Sequence, residues 1–383
     1  MKICIVTPDV VRGTGQGRAN YEIVWEALRR GHDVTLLANR VAPELQQHGQ
    51  VEWIAVPRLP TELLRSVGFL LWSTLWLRKH RAEFDLVQIH GASTLAPVDI
   101  NTVQFVHSAW MRSPVNIFRV QRDLYGAYQW LYTTLNADWE IKNLRQSPVV
   151  VSVSERVSQE LVEITGVPRE RIRCIFNGVD LQEFSPGLAD RNELGLPENV
   201  TLALFVGDIR INRKNLDTVL HALVQIPNLH LAVVGEIAGS PYPRMAASLS
   251  LSERVHFLGY RRDIPAIMQA ADLFVFPSRY EPFGMVVVEA MATGLPVITA
   301  ATTGAAEIVT PESGIVLSDC EDKDGLAQAL NYLARDPALR KKMGQAGRAI
   351  AEEHSWVSKA QNYLDLFESL VDTKQYHAHT YAH

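Results

Sequence analysis

Two glutamates, Glu281 and Glu289, lie with seven residues between them in a segment that joins an apolar strand to a helix. The strand ends at Phe276, Gly284 opens the helix and Gly294 closes it. Because a helix N-terminus presents unpaired N–H groups and a positive dipole, this start suits a phosphate group. One carboxylate before the helix and one inside it can contact two parts of an elongated ligand. The alternative, a solvated glutamate on an ordinary helix, fits poorly with the apolar residues around it.

A glycine-rich segment, residues 11–18, follows the first predicted strand and precedes a helix. Its alternate glycines, Gly13, Gly15 and Gly17, allow the backbone to approach a ligand closely. A dinucleotide fingerprint needs the spacing G-x-G-x-x-G and an acidic residue at the end of the second strand. The spacing differs here and the second strand runs into Asn39, so a dinucleotide cofactor is disfavoured.

These segments lie in a repeated order of strand, helix and strand. Helical stretches such as residues 19–30 carry apolar residues at spacings of three and four. The order implies parallel sheets with helices on both faces, and such sheets bind ligands at the carboxyl ends of their strands. We place a domain boundary near residues 177–190. The predicted strands are residues 2–7, 33–38, 51–56, 85–89, 102–106, 149–153, 173–176, 202–206, 229–234, 255–258, 273–276, 296–299 and 314–317.

The composition excludes several classes of protein. The 383 residues include 37 Lys and Arg against 42 Asp and Glu, a net charge of −5, so a basic surface for nucleic acid is absent at the level of the whole chain. Three scattered cysteines cannot form a disulfide framework or a structural zinc site. We see no apolar stretch of about 20 residues and no signal peptide, and therefore expect a cytoplasmic protein.

The segment Pro-Ser-x-Tyr-Glu-Pro-Phe-Gly at residues 277–284, with its two glutamates, resembles the signature of a large family of retaining glycosyltransferases, family four, of GT-B fold. Arg30-Gly31-His32-Asp33, Asn177-Gly178-Val179-Asp180, Lys214-Asn215-Leu216-Asp217 and Thr303-Gly304-Ala305-Ala306-Glu307 resemble other segments of that family. The resemblance extends to about residue 370 and is strongest in the second half.

The resemblance implies an α/β fold with two facing, Rossmann-like parallel-sheet domains and a cleft between them. Residues 1–180 would form the acceptor-binding domain, with a C-terminal helix at about 357–372 that packs back on it. Residues 181–356 would bind the donor, and residues 373–383 would form a flexible tail.

The resemblance also implies roles for single residues. Glu289 would bind the ribose hydroxyls of the donor, Glu281 its sugar, and Lys214 its diphosphate. Gly15 and Gly17 would face that diphosphate from the first domain. The remaining donor-binding candidates are Gly207, Phe283, Gly284 and Met285.

The chain departs from the family at Asp208, because the family has arginine directly after the glycine that ends the strand. An acidic residue there would repel a diphosphate, so another cation has to serve. Arg210 and Arg213 are the candidates, and we favour Arg213 because it precedes Lys214.

His107 follows a predicted buried strand and matches the family histidine near the donor sugar. A lone histidine is more often structural, but the end of a strand favours a catalytic role. We therefore predict Glu281, Lys214 and His107 as catalytic residues. His90 occupies a similar position one strand earlier, with weaker support.

The resemblance implies a metal-independent hexosyltransferase that moves a sugar, with retention, from a nucleotide-diphosphate sugar to a glycan, lipid-linked or small-molecule acceptor. Fixed cations and the helix N-terminus would take the place of a divalent metal, so we expect no metal and no cofactor. The alternatives are a sugar-nucleotide epimerase or hydrolase of the same architecture, and a catalytically silent sugar-nucleotide-binding subunit. Cell-envelope or exopolysaccharide synthesis is the implied context.

Two further stretches bear on the acceptor. Residues 66–77 are uncharged between Arg65 and Arg78, and tryptophans and tyrosines alternate with basic residues over residues 110–145. Aromatic and basic residues together suit a lipid-linked acceptor and peripheral contact at the inner face of a membrane. Core helices with basic rims are the other interpretation, which we favour.

Overall fold

A computed structural model describes residues 1–13, 15–120 and 123–380 of the chain. The chain forms two compact units. Unit 1 consists of Met1–Gly178 with Trp356–His383, and unit 2 of Val179–Ser355. The first segment of unit 1 therefore ends at Gly178, two residues before the boundary that we placed after residue 180.

Unit 1 is built on a parallel sheet whose strands are short apolar runs. The strands inside the sheet are almost entirely buried, as expected for parallel strands covered by helices, whereas the two edge strands are partly exposed. The strands are β1 (Lys2–Val6), β2 (Asp9–Val10), β3 (Asp33–Ala38), β4 (Arg40–Val41), β5 (Val51–Ala55), β6 (Leu86–His90), β7 (Ile100–Val103), β8 (Val149–Ser152) and β9 (Ile172–Cys174). Seven of them pair in the order β5-β3-β1-β6-β7-β8-β9, and β2 pairs with β4. The direction of strand order reverses between β1 and β6, and such a point leaves a crevice at the carboxyl ends of the strands.

Helices cover this sheet. They are α1 (Gly15–Arg29), α2 (Pro43–Gln46), α3 (Glu62–His80), α4 (His107–Arg112), α5 (Ile117–Val120), α6 (Leu124–Gln146) and α7 (Glu155–Glu160). A π-helical turn, Leu161–Thr165, follows α7 directly. Thr61 and Asp123 cap α3 and α6: the side chain of each accepts a hydrogen bond from a backbone N–H in the first turn of its helix.

Two predictions in unit 1 differ from the structure. Helix α1 begins at Gly15, four residues before the predicted start, so Gly15 and Gly17 belong to its first turn rather than to a loop. Strand β7 ends at Val103, where we expected residue 106. His107 is consequently the first residue of α4 and does not follow the strand directly.

Unit 2 repeats the same architecture with six parallel strands. They are β10 (Thr201–Val206), β11 (Leu229–Val234), β12 (Val255–Gly259), β13 (Leu273–Phe276), β14 (Val297–Ala300) and β15 (Gly314–Leu317). Their order is β12-β11-β10-β13-β14-β15, so the strand order reverses between β10 and β13. The carboxyl ends of these two strands are therefore where a ligand site is expected in unit 2.

The helices of unit 2 pack on both faces of its sheet. They are α8 (Arg191–Leu194), α9 (Leu216–Val224), α10 (Tyr242–Ser248), α11 (Ile264–Ala270), α12 (Met285–Thr293), α13 (Lys323–Arg335) and α14 (Pro337–Glu353). Asn215, which precedes α9, has a left-handed backbone with φ of 64°. Its buried side-chain amide donates to the carbonyls of Pro277 and Cys320, so the turn before α9 is fixed to the loop after β13.

The last helix, α15 (Trp356–Thr380), belongs to unit 1. Leu364 and Phe367 are fully buried in the core cluster that includes β1 and β3. Arg30, at the end of α1, donates to Glu368 on α15 at 2.8 Å. The helix is longer than predicted, since it continues past residue 372 to Thr380. Among the described residues, we find no helix with the length and apolar character needed to cross a membrane.

Candidate active site

The two loops at the strand reversal of unit 2 are held together by hydrogen bonds. The N–H of Arg279, after β13, donates to the carbonyl of Arg213, after β10, at 2.9 Å. The hydroxyl of Ser278 donates to the same carbonyl at 3.0 Å. The guanidinium of Arg279 also binds Asp217 on α9 through two hydrogen bonds. The loops therefore form one structure in which the side chains at the strand ends have fixed neighbours.

Lys214 and Glu281 form an ion pair in this structure. Their side chains are 12% and 14% exposed, and the Lys214 ammonium also lies 5.1 Å from the centroid of the Phe276 ring. Burial lowers the pKa of Lys214, and the charge of Glu281 opposes that shift. The sequence predicted both residues as catalytic, and the structure brings them together across 67 residues of chain.

Glu281 is positioned beside the N-terminus of α12 by its backbone. Its N–H donates to the carbonyl of Thr302 at 3.2 Å, and its carbonyl accepts from the N–H of Gly304 at 2.9 Å. Gly284 then enters the helix with φ of 93°, and a Cβ there would lie 2.8 Å from Thr303 Cγ2. Glycine fits this position without strain, and it brings Glu281 next to the N-terminus of α12.

The other candidates on this segment follow in order. Phe283 is buried, Met285 is the first helical residue, and Glu289 lies one turn further along α12. Met285 and Glu289 are both half-buried and share a helix face because four residues separate them. Gly207, at the end of β10, lies against Lys214: a Cβ on Gly207 would be 3.3 Å from Lys214 Cγ.

The negative charge of Asp208 is compensated by Arg210. The guanidinium of Arg210 donates to both of its carboxylate oxygens, at 2.9 and 2.8 Å. This hydrogen bonding lowers the pKa of Asp208, against the effect of its burial, and keeps it ionised. The charge of Arg210 is thus compensated inside the loop. Arg213 acts electrostatically on both Asp208 and Lys214, which places it as the second cation near the pair.

In unit 1, His107 is held by a buried glutamate on α6. Glu140 is fully buried, and it accepts hydrogen bonds from the backbone N–H of His107 at 3.0 Å and from the ring Nδ1 at 3.2 Å. An ionised carboxylate can only accept, so Nδ1 carries the proton that it donates to Glu140, and in the neutral form of the ring Nε2 carries the lone pair. Sequence reasoning missed Glu140, because it lies 33 residues away on a different helix.

A cavity of about 410 Å³ lies at the strand reversal of unit 1. Its lining includes Pro8 after β1, His90 and Gly91 at the end of β6, His107, and Gln16 from the first turn of α1. Gln16 stands between the two predicted glycines, Gly15 and Gly17, and its amide donates to Thr7 at 3.3 Å. His90 and His107, which the sequence placed after neighbouring strands, therefore line one cavity.

Each unit is thus a parallel α/β domain of nucleotide-binding type, with its polar side chains at the strand reversal. In unit 2 these side chains are a largely buried lysine and a glutamate beside a helix N-terminus. Lysine and backbone N–H groups in such a position define a class of proteins that bind anionic ligands, phosphates above all.

Comparison with known proteins makes the class specific. Residues 13–183 match the family described as glycosyltransferase family 4, and residues 188–350 match glycosyl transferases group 1. A glycosyltransferase of Methanocaldococcus jannaschii, itself named uncharacterized, is 24% identical over 97% of this chain and 99% of the relative.

Two solved structures are similar over nearly the whole chain. Sucrose-phosphate synthase from Thermosynechococcus elongatus has a TM-score of 0.78 at 21% identity, over 97% of this chain and 100% of the other. HepE of Anabaena, in complex with UDP-glucose, has a TM-score of 0.69 at 22% identity, over 96% of this chain and 100% of the other. These likenesses establish the GT-B class of α/β fold.

The two family matches leave only residues 1–12, 184–187 and the part after residue 350 outside them. The chain belongs to the family-four glycosyltransferases, and it is an enzyme of that class. The resemblance predicted from the sequence is confirmed.

Proposed function

We propose that the protein transfers a hexose from a nucleotide-diphosphate sugar to a hydroxyl acceptor, with retention and without a metal ion. The observation that carries the proposal is the Lys214–Glu281 pair beside the N-terminus of α12. HepE, which shares the fold, is described in complex with UDP-glucose, and this supports a nucleotide sugar as the donor.

The chemistry of the donor explains the arrangement of charges. When the bond between the anomeric carbon and the diphosphate oxygen breaks, its electron pair stays on the oxygen. Lys214, Arg213 and the N–H groups at the start of α12 provide fixed positive charge where that negative charge develops. The acceptor hydroxyl forms the new bond to the anomeric carbon, and its proton leaves with the diphosphate.

Roles within the donor follow from the positions on α12. Glu281 lies before the helix and pairs with Lys214, so we assign Glu281 to the sugar and Lys214 to the adjoining phosphates. Glu289, one turn along the same helix, is assigned to the hydroxyls of the ribose. Fixed cations make a divalent metal unnecessary in this scheme, and transfer should therefore persist in EDTA.

Glu289→Ala is expected to weaken binding of the matching nucleotide by about 10- to 100-fold, because two hydrogen bonds to the ribose are lost. UDP, GDP and ADP, each with EDTA present, are first compared by thermal shift, and the best ligand is titrated by calorimetry. Glu312→Ala, at an exposed glutamate of the same unit, is the matched control. Unchanged affinity in Glu289→Ala would remove Glu289 from the site, and a lack of binding by all three nucleotides would contradict the proposed donor.

We also propose that unit 1 contacts an anionic membrane surface through α3. Leu64, Leu71 and Leu75 are 48%, 54% and 62% exposed and lie on one helical face. That face ends at Arg78 and Lys79, both exposed. The opposite face is buried through Phe69, Leu70, Ser73, Thr74 and Leu77. The helix is therefore both a core helix and an apolar surface with a basic end, which suits anionic lipid.

Co-sedimentation with vesicles tests this contact. The protein should bind phosphatidylglycerol vesicles at low salt, release at high salt, and bind phosphatidylcholine vesicles much less. Leu71→Ser with Leu75→Ser should abolish binding, whereas Leu188→Ser, at a fully exposed leucine of unit 2, should not. Equal binding to both lipids, or none to either, would leave α3 as a core helix with an exposed side.

A further inference from the structure

The cavity at the strand reversal of unit 1 is lined mainly by neutral hydrogen-bonding side chains. Four of them are amides, which donate and accept equally well: Gln16, Asn39, Gln104 and Asn136. At about 410 Å³ the cavity falls within the roughly 300–1,000 Å³ range of small-molecule sites. A ligand that matches this lining has to offer many donors and acceptors of its own.

Two donors in the wall have no partner among the described residues. His90 is 4% exposed, and burial lowers its pKa to about 3, so the ring is neutral. Its Nε2 lies 3.4 Å from the side-chain nitrogen of Gln88, which is a donor, so the proton of the ring is on Nδ1. Nδ1 is buried without a partner. The side-chain nitrogen of Gln104 is buried and unpartnered in the same way. A buried donor without an acceptor is unfavourable, so a ligand hydroxyl that accepts from these groups would bind favourably.

The charges of the lining cancel. Arg65 is its one arginine, and its guanidinium donates to the carbonyls of Leu59 and Pro60. Glu62, one turn earlier on α3, contributes a carboxylate to the same wall. Behind His107 lies a second carboxylate, that of the buried Glu140. A phosphate dianion would meet no surplus of positive charge among these lining residues, in contrast to the lysine site of unit 2.

We propose that this cavity is the acceptor site and that it binds an uncharged, hydroxyl-rich ring, a sugar or a cyclitol, in preference to its phosphate ester. The assignment of the bound ring as the acceptor rests on the proposed function. The preference for a neutral ring is a property of unit 1 alone. The sugar end of a larger glycan satisfies the same requirement.

Saturation-transfer NMR on the full chain without any donor tests the preference directly. The probes are two pairs: glucose with glucose 6-phosphate, and myo-inositol with inositol 3-phosphate. We expect at least one neutral ring to bind, and to bind more tightly than its own phosphate ester. Failure of both neutral rings to bind at about 10 mM, roughly tenfold above the upper end of usual KM values, or tighter binding of the ester, would overturn the proposal.

Two variants localise the binding. Gln104→Leu keeps the size of the side chain and should weaken the neutral ring about tenfold by removing the amide. Gln129→Leu, at a half-buried glutamine of α6 outside the lining, should not change it. Glu62→Gln leaves Arg65 uncompensated and should shift the preference several-fold toward the phosphate ester. Equal effects of Gln104→Leu and Gln129→Leu would place the ring elsewhere and overturn the assignment.

Nucleotide binding separates this inference from the proposed function. Thermal shifts by the nucleotide should be the same in Gln104→Leu and in the unchanged protein, because the residue belongs to unit 1. If nucleotides fail to bind while the neutral ring binds, the donor proposal falls and the preference of the cavity stands. If nucleotides bind and the phosphate ester is preferred, only the inference about the cavity falls.

Discussion

Lys214→Ala is expected to lower kcat by about 100- to 1,000-fold, with a much smaller change in the affinity for the free nucleotide. The reason is that the negative charge on the diphosphate grows as the glycosidic bond breaks, so a fixed cation stabilises the transition state more than the bound donor. The ammonium is already desolvated beside Glu281 and the Phe276 ring, which strengthens its field. Initial rates at saturating donor measure the effect.

A loss of stability has to be separated from the loss of catalysis. Removal of Lys214 leaves the largely buried carboxylate of Glu281 without its cation, and the melting temperature should fall. In Lys214→Met with Glu281→Gln both charges are gone, so the melting temperature should recover while kcat stays low. Lys342→Ala, at an exposed lysine of α14, is the control. Full activity in Lys214→Ala at saturating donor would exclude this lysine from the site.

The strands of both sheets could be predicted from the sequence for a physical reason. Parallel strands buried on both faces are continuous apolar runs, and each of the thirteen predicted runs corresponds to a strand of the two large sheets. The least accurate is β7, where Asn101 and Thr102 are buried polar residues inside the strand. The polar Asn101 caused the prediction to begin two residues late, at Thr102, and the apolar Val106 beyond the strand was included in it.

Side-chain pairing across long stretches of chain could be predicted only in part. Lys214 and Glu281 come together because each follows a strand at the same reversal of the sheet, and the sequence indicated both residues through their resemblance to family segments. The compensation of Asp208 by Arg210, two residues away, could not be read from charge alone, because it depends on the turn that brings the two side chains into contact. Apolar periodicity likewise gave no indication of Glu140 as a partner of His107.

Glu140→Gln is expected to lower kcat by roughly 10- to 100-fold while the KM for the donor changes little. Glutamine has the same shape, but its amide NH₂ cannot accept a hydrogen bond from Nδ1 of His107. With the amide oxygen on the backbone N–H of His107, the NH₂ group faces Nδ1 and favours the ring with its proton on Nε2. The nitrogen that carries the lone pair in the unchanged protein would then carry the proton.

The tautomer of His107 distinguishes this positioning role from a merely structural one. The ¹⁵N chemical shifts of the ring report which nitrogen is protonated. In Glu140→Gln the shift of a protonated nitrogen should move from Nδ1 to Nε2. Glu163→Gln, at an exposed glutamate of unit 1, is the control and should leave both shifts unchanged. A folded variant with the new tautomer and reduced kcat supports a role for the Nε2 lone pair in transfer. If the tautomer changes and kcat does not, His107 acts through contacts that either form of the ring makes. If neither the tautomer nor kcat changes, Glu140 serves only to cap the N-terminus of α4 through the backbone N–H of His107.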